Sequence, residues 1–167
     1  MRTLGIDCGT EFTGYGVVEH NTDGTLECLS CGVIKLSSKQ ALPMRLARIF
    51  DGLNALIREY SPDDVAIEDV FYAVNIKSAL KLGQVRGVAM LAASSAGLEV
   101  AEYAPLAIKS AVVGYGRAEK HQVQQMVTRL LSLTDVPESP DAADALAIAI
   151  CHLHTIATMR RQVAAGQ

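Results

Sequence analysis

Four carboxylates occupy positions where an acid needs an explanation. Asp7 lies at the end of an apolar run, just ahead of Gly9, and Glu68 ends the run Val65-Ala66-Ile67 in the same way. Asp141 and Asp144 are three residues apart at the start of a helical segment, so they share a face. An unpartnered carboxylate at a buried strand end is costly. A bound cation would remove that cost and make the set useful. Hydrolysing a phosphodiester needs an activated water and stabilisation of an anionic transition state, and two divalent metals about 3.5–4 Å apart can supply both. Mg²⁺ is a hard cation that prefers oxygen, and a few carboxylates converging from different elements suit it. Each acid alone also has an ordinary explanation. Asp141 is favourable in a helix first turn, Asp7 could accept hydrogen bonds from its own turn, and Glu68 could face solvent. Two strands ending in acids, together with a paired-acid helix start, point to a divalent-metal site for a phosphoryl substrate.

Such a site needs two strand ends and one helix start brought together. Thr3–Cys8 reads as a buried strand, and Gly14–Glu19 follows it as the second arm of a hairpin. Asn21-Thr22-Asp23-Gly24 is a turn, and a third strand runs from about Leu26 to Leu36. In Ala41–Tyr60 the period changes: Leu42, Leu46, Ile49, Phe50, Leu53, Leu56 and Ile57 recur at helical steps. Val65–Glu68 is a fourth strand, Ile76 to Ala96 a second helix and Glu99–Tyr103 a fifth strand. Pro105 opens a short third helix, Gly114-Tyr115-Gly116 is a loop, and Ala118–Leu131 is a fourth helix. Asp141 to about Arg161 is the last, with Ser139 as N-cap and Pro140 at its first position. The order β-β-β-α-β-α-β-α-α-α predicts an α/β domain over residues 1–161, a mixed sheet with helices on its faces, followed by a disordered tail, 162–167.

Composition narrows the partners. The chain has 167 residues, half of them hydrophobic, and a net charge of −3. It contains no run of about 18 uninterrupted apolar residues, so no membrane partner is expected. Its N-terminus meets a carboxylate too early for a signal peptide, which makes the cytoplasm the expected compartment. The acidic balance hides an uneven distribution. Residues 1–72 carry −5, residues 73–120 carry +3 and residues 121–167 carry −1. Four of the acidic charges are also the proposed metal ligands, so bound cations would make the surface more compatible with DNA. Cys28-Leu29-Ser30-Cys31 has the spacing of half a zinc site, but no second half follows, and His152 and His154 are only two apart. In a strand, residues three apart point to opposite faces, so these sulfurs are expected not to converge. The four cysteines read as reduced, structural thiols.

Gly5-Ile6-Asp7-Cys8-Gly9-Thr10, with Gly14-Tyr15-Gly16 after it, resembles the opening hairpin of the ribonuclease H-like superfamily. More specifically, the chain resembles the bacterial RuvC Holliday junction resolvases. The matching segments are Ala66–Phe71, Ser78–Gln84, Val112–Gly116, Ala118–Lys120 and Asp141–Ala147, in the right order along nearly the whole chain. The resemblance implies a ribonuclease H-like, five-stranded mixed sheet, three antiparallel strands then two parallel, with the first and fourth adjacent. It implies a homodimer that resolves a four-way DNA junction by two symmetric nicks during recombination and repair, in the bacterial cytoplasm. Asp7, Glu68, Asp141 and Asp144 match the family's metal-binding acids, for Mg²⁺ (two per active site) with Mn²⁺ as a substitute. Lys109 and Lys120 match its functionally important lysines and Phe71 its DNA-contacting aromatic. Contact with the RuvA–RuvB branch-migration machinery is implied by the resemblance only.

The residue types suit those roles. Lys120 follows a Gly-rich loop, from which a cation can reach a scissile phosphate. Lys77, Lys81, Arg86, Lys109 and Arg117 are candidates for backbone contacts that position DNA without reading its sequence. Phe71 near a junction centre could stack on an unpaired base, with Tyr72 as a second contact. The second helix carries Gly83, Gly87, Ala89, Ala92, Ala93 and Ala96, which suit close packing, either on the sheet or across a two-fold dimer. A nucleotide-binding domain of the actin, Hsp70 and sugar-kinase type shares the opening hairpin but needs two such domains. A non-catalytic junction-binding module would not need all four acids. A related nuclease acting on RNA hybrids is separated only by the motifs outside the acid site.

Overall fold

Alternation along two short strands sorts their side chains between the faces of a sheet. Leu4 and Ile6 of β1 (Arg2–Asp7) and Val65 and Ile67 of β4 (Asp64–Glu68) are buried in one layer, while Gly5 and Ala66 turn to the other. β2 (Phe12–His20) and β3 (Leu26–Lys35) extend the sheet by antiparallel pairing from β1. β5 (Glu99–Tyr103) extends it by parallel pairing from β4. The computed structural model describes residues 1–69 and 75–166, and in it the strand order is β3-β2-β1-β4-β5. This is the expected sheet of three antiparallel strands followed by two parallel ones, with β1 beside β4.

Helices cover both faces. α1 (Leu42–Tyr60) and α2 (Ile76–Ser95) close over Leu4, Ile6, Val65 and Ile67 through Ile49, Leu53, Val85 and Ala89. α3 (Pro105–Val113), α4 (Lys120–Leu130) and α5 (Pro140–Ala165) pack on the opposite side, around Val18, Ala66, Ile108, Val127, Leu146 and Ile150. The middle of α5 is apolar almost all round because it lies between the sheet and two other helices. Every residue from Ala145 to Leu153 is buried. Each large side chain in it, such as Leu146, contributes roughly 1.5–3 kcal/mol of burial. By length and composition α5 passes for a membrane span, but here it is the central core helix.

Glycines set how closely α5 approaches. Gly5 pairs with Gly16, and Asp7 with Gly14. A Cβ built on Gly5 would stand 2.1 Å from the Ala145 carbonyl oxygen, and one on Gly14 would stand 2.1 Å from that of Asp141. Glycine is needed at both positions for the helix to press against the strands. The helix also runs past its expected end at Arg161, through Gln162–Ala165, into the segment read as a disordered tail. That segment contains good helix formers, and Gly166 closes the helix.

Candidate active site

Two positions beyond Gly5 and Ala66 come Asp7 and Glu68, so strand alternation turns both carboxylates toward α5. The parallel register runs from Thr3↔Asp64 to Ile6↔Ile67. The next step brings the two acids side by side at the ends of neighbouring strands. α5 begins above them. Ser139 Oγ accepts the Asp141 N–H at 3.3 Å and Pro140 opens the helix. This places Asp141 in the first turn and Asp144 one turn further on. The middle of α5 is anchored by a buried polar group. Tyr103 Oη lies 2.8 Å from His152 Nδ1, His152 Nε2 lies 3.0 Å from Asp64 Oδ2, and Thr3 Oγ1 donates to Asp64 at 2.6 Å.

The four acids share one electrostatic environment. The Asp7 carboxyl is pushed up to about 7, first by burial and then by the charges of Asp144, Glu68 and Asp141, with Lys120 opposing. Glu68 is also raised, by burial and then by Asp144, against the pull of Lys109, Lys120 and Arg86. The rise of Asp7 and Glu68 marks a site that lacks positive charge. Its donors are all carboxylate oxygens, the ligands that Mg²⁺ and Mn²⁺ prefer, so the residues present fit a hard divalent cation. Among the described residues no three acids already form a closed ligand cage.

Lys120, the first residue of α4, reaches Asp144, with Nζ 2.6 Å from Oδ2. Burial works against its charge, but the hydrogen bond to Asp144 and the charges of Asp144, Asp7 and Asp141 raise its pKa overall. The α4 start is held by Gln122, whose side chain accepts the Glu119 N–H at 2.9 Å. Lys109 of α3 joins Glu68, Lys120 and Asp144 around a cavity of about 170 Å³, floored by Ile108, Val123, Ala147 and Ile148. On the other side of Asp141 an open groove of about 640 Å³ runs past Phe12, Lys35 and Ser139.

The remaining expected residues are distributed differently. Lys77 and Lys81 are exposed on α2, and Arg117 is exposed just ahead of α4. Phe71 and Tyr72 lie outside the described residues. Arg86 departs from its expected role as a DNA contact. Its guanidinium is turned inward onto Asp69, Glu102 and the Glu68 carbonyl. Arg45 of α1, which the sequence did not single out, donates to the Thr10 carbonyl and braces the loop that follows Asp7. Its charge alone gave no sign of that inward role. Cys28 and Cys31 correct another expectation. The register slips between Val17↔Ser30 and Val18↔Cys28, leaving Leu29 as an extra residue. This bulge turns both thiols to one face, where they hydrogen-bond to each other, lowering Cys31 to about 7 and pushing Cys28 up.

Residues 3–152 match the crossover junction endodeoxyribonuclease RuvC family. The chain is 64% identical over 161 residues to a crossover junction endodeoxyribonuclease RuvC from Koribacter versatilis (strain Ellin345), covering 96% of this chain and 97% of the relative. Among solved structures it is similar to Thermus thermophilus RuvC, with a TM-score of 0.88 and 33% identity over 95% of this chain and 96% of the other. It is also similar to T. thermophilus RuvC in complex with Holliday junction substrate, with a TM-score of 0.87 and 30% identity over the same shares. Sequence and fold agree that this chain belongs to the RuvC family of crossover junction endodeoxyribonucleases.

Proposed function

We propose that this chain is a Mg²⁺-dependent, structure-selective endonuclease that resolves four-way DNA junctions by paired symmetric nicks in homologous recombination and DNA repair. The observation that carries the reading is the gathering of Asp7, Glu68, Asp144 and Lys120 where two neighbouring strands end beneath the start of α5. Family membership, and the complex of T. thermophilus RuvC with its junction substrate, support the choice of DNA over other phosphoryl substrates.

Asp7, Glu68, Asp141 and Asp144 would hold the metal, with Mn²⁺ able to replace Mg²⁺. When bound, two such ions lower the pKa of an attacking water and stabilise charge on the phosphate. Lys120 and Lys109 supply fixed positive charge on the wall of the same cavity, where a non-bridging phosphate oxygen gains charge in the transition state. The exposed Lys77, Lys81 and Arg117 take backbone phosphates and set the register of the arms. Phe71 and Tyr72 stack on bases at the junction centre.

Paired nicks need paired sites, which a two-fold homodimer supplies. The outer face of α2 suits that contact. Ile76, Leu80 and Leu91 are exposed in line with Gly83 and Gly87, whose Cβ positions face open space, while Ala89, Ala92 and Ala93 are spent on the core. A bacterial cytoplasmic enzyme working with the RuvA–RuvB branch-migration complex completes the reading.

The test offers a synthetic four-way junction, a linear duplex and an RNA–DNA hybrid side by side, with and without Mg²⁺. We expect symmetric cutting of the junction alone, and only with metal. Preferred cutting of the hybrid would replace this reading with a ribonuclease.

A further inference from the structure

We infer that Arg86 is a positioning residue for Glu68, fixing the end of β4 from beneath the acid cluster. The inference rests on the proposed role of Glu68 as a metal ligand. Glu68 is the last residue of its strand, and beyond it the chain leaves the sheet. Glu68 is paired with Tyr103 of β5, while its pairing with β1 ends at Ile67, so the ladder restrains it from one side, yet a catalytic constellation must be held to within about 0.5 Å. Arg86 supplies a further restraint. Its Nη1 donates to the Glu68 carbonyl oxygen at 3.0 Å and to Asp69 Oδ1 at 3.0 Å, and its Nη2 donates to the Glu102 carboxylate. One planar fork therefore ties α2, the end of β4 and the neighbouring strand β5 together. The Asp69 N–H adds a second tie, to the Tyr103 carbonyl at 2.7 Å.

Two observations separate this role from phosphate binding. The Arg86 side chain is only 12% exposed and is already committed to two carboxylates. It is also absent from the lining of the cavity shared by Glu68, Lys109, Lys120 and Asp144. Lysine carries the same charge but lacks the fork, so it cannot hold a carbonyl and two carboxylates in one plane. Groups that orient a ligand in this way typically change metal affinity or activity by roughly 10- to 100-fold when removed.

The experiment compares full-length wild type, Arg86→Gln, Arg86→Lys and Glu68→Gln in three measurements: Mn²⁺ binding by calorimetry, junction binding in EDTA, and cleavage against Mg²⁺ concentration. We expect Arg86→Gln to bind the junction like wild type but to need roughly 10- to 100-fold more metal. Arg86→Lys should shift in the same direction by less, and it carries the test if the glutamine variant does not fold. A lowered melting temperature with an unchanged metal requirement would make Arg86 merely structural and overturn the inference. Weaker junction binding with a shallower salt dependence would overturn it in favour of a phosphate anchor. If wild type and Glu68→Gln take up Mn²⁺ equally, the metal-ligand reading itself fails, and this inference fails with it.

Discussion

Lys120 Nζ stands 2.6 Å from Asp144 Oδ2, so the ammonium sits between the acid cluster and the cavity beside it. A cation held there can move from its carboxylate partner to a phosphate oxygen without crossing the site. Lys120→Ala is therefore expected to slow junction cleavage by about 10²–10³-fold, the usual cost of removing one donor aimed at a developing oxyanion. Junction binding should lose no more than the contribution of a single phosphate contact, seen as a salt dependence reduced by about one charge. Single-turnover cleavage and equilibrium binding on the same junction separate the two effects. Equal losses in both would make Lys120 an ordinary anchor.

Asp7→Asn should abolish cleavage and leave junction binding in place, because the substitution keeps the shape of the side chain and removes one of the carboxylates proposed to hold the metal. It should also stabilise the metal-free fold. The Asp7 carboxyl lies near the usual carboxylate range in the unfolded chain and is raised to about 7 in the folded one. The folded state therefore favours the neutral form. Its contribution to stability is complete below about pH 4 and is lost as pH rises through 7. In EDTA, wild type should melt lower at pH 8 than at pH 5, and Asp7→Asn should remove much of that difference, which is worth up to about 2–3 kcal/mol. Mg²⁺ should restore the wild-type midpoint at pH 8 by binding the folded state. A flat wild-type profile in EDTA would show that the acids are not mutually destabilising.

Much of this site is written in alternation. Leu4 and Ile6 against Gly5 and Asp7, and Val65 and Ile67 against Ala66 and Glu68, assign both acids to the faces opposite their apolar neighbours. The adjacency of β1 and β4, and the passage of α5 over that face, depend on long-range pairing that no local pattern encodes. Those features were legible only through resemblance to a family. The inward turn of Arg86 was not legible, because charge says nothing about direction. Its place next to Val85, on the buried edge of a helix whose Ala89, Ala92 and Ala93 face the core, was the available signal. The convergence of Cys28 and Cys31 depends on one extra residue in β3, and no turn-forming residue marks that bulge in the sequence. The extension of α5 could have been anticipated from Gly166, a suitable helix stop four residues beyond Gln162.

The outer face of α2 makes a prediction about assembly. Gly83 and Gly87 lie inside a helix with open space at their Cβ positions. In an isolated chain, Gly87→Ala should stabilise the helix by roughly 0.5–1 kcal/mol. If α2 packs against the same helix of a partner, the added methyl should hold the two backbones apart and weaken the dimer. We expect both effects at once, a tighter monomer and a looser dimer. Sedimentation equilibrium and melting curves at two protein concentrations would resolve them. Stabilisation with unchanged association would place the interface elsewhere.

Gly14 connects the sheet to the acids most directly. It pairs with Asp7 on the neighbouring strand, and a Cβ there would meet the Asp141 carbonyl oxygen at 2.1 Å and the Asp141 Cβ at 3.1 Å. The first of these is a backbone atom, so no side-chain rotation relieves the clash. In Gly14→Ala the start of α5 must lift, and Asp141 and Asp144 must move with it. Overpacking of this kind costs about 1–3 kcal/mol, which a domain with cores on both faces of its sheet should survive. Cleavage should fall far more than folding or junction binding, and the metal requirement should rise. Gly24→Ala is the matching control. It strains a turn at φ +89° with nothing within 4 Å, remote from the acids, so it should lower the melting temperature and leave cleavage per folded molecule unchanged. Equal cleavage by Gly14→Ala and wild type, at the same Mg²⁺ concentration, would mean that the approach of α5 does not set the positions of its acids.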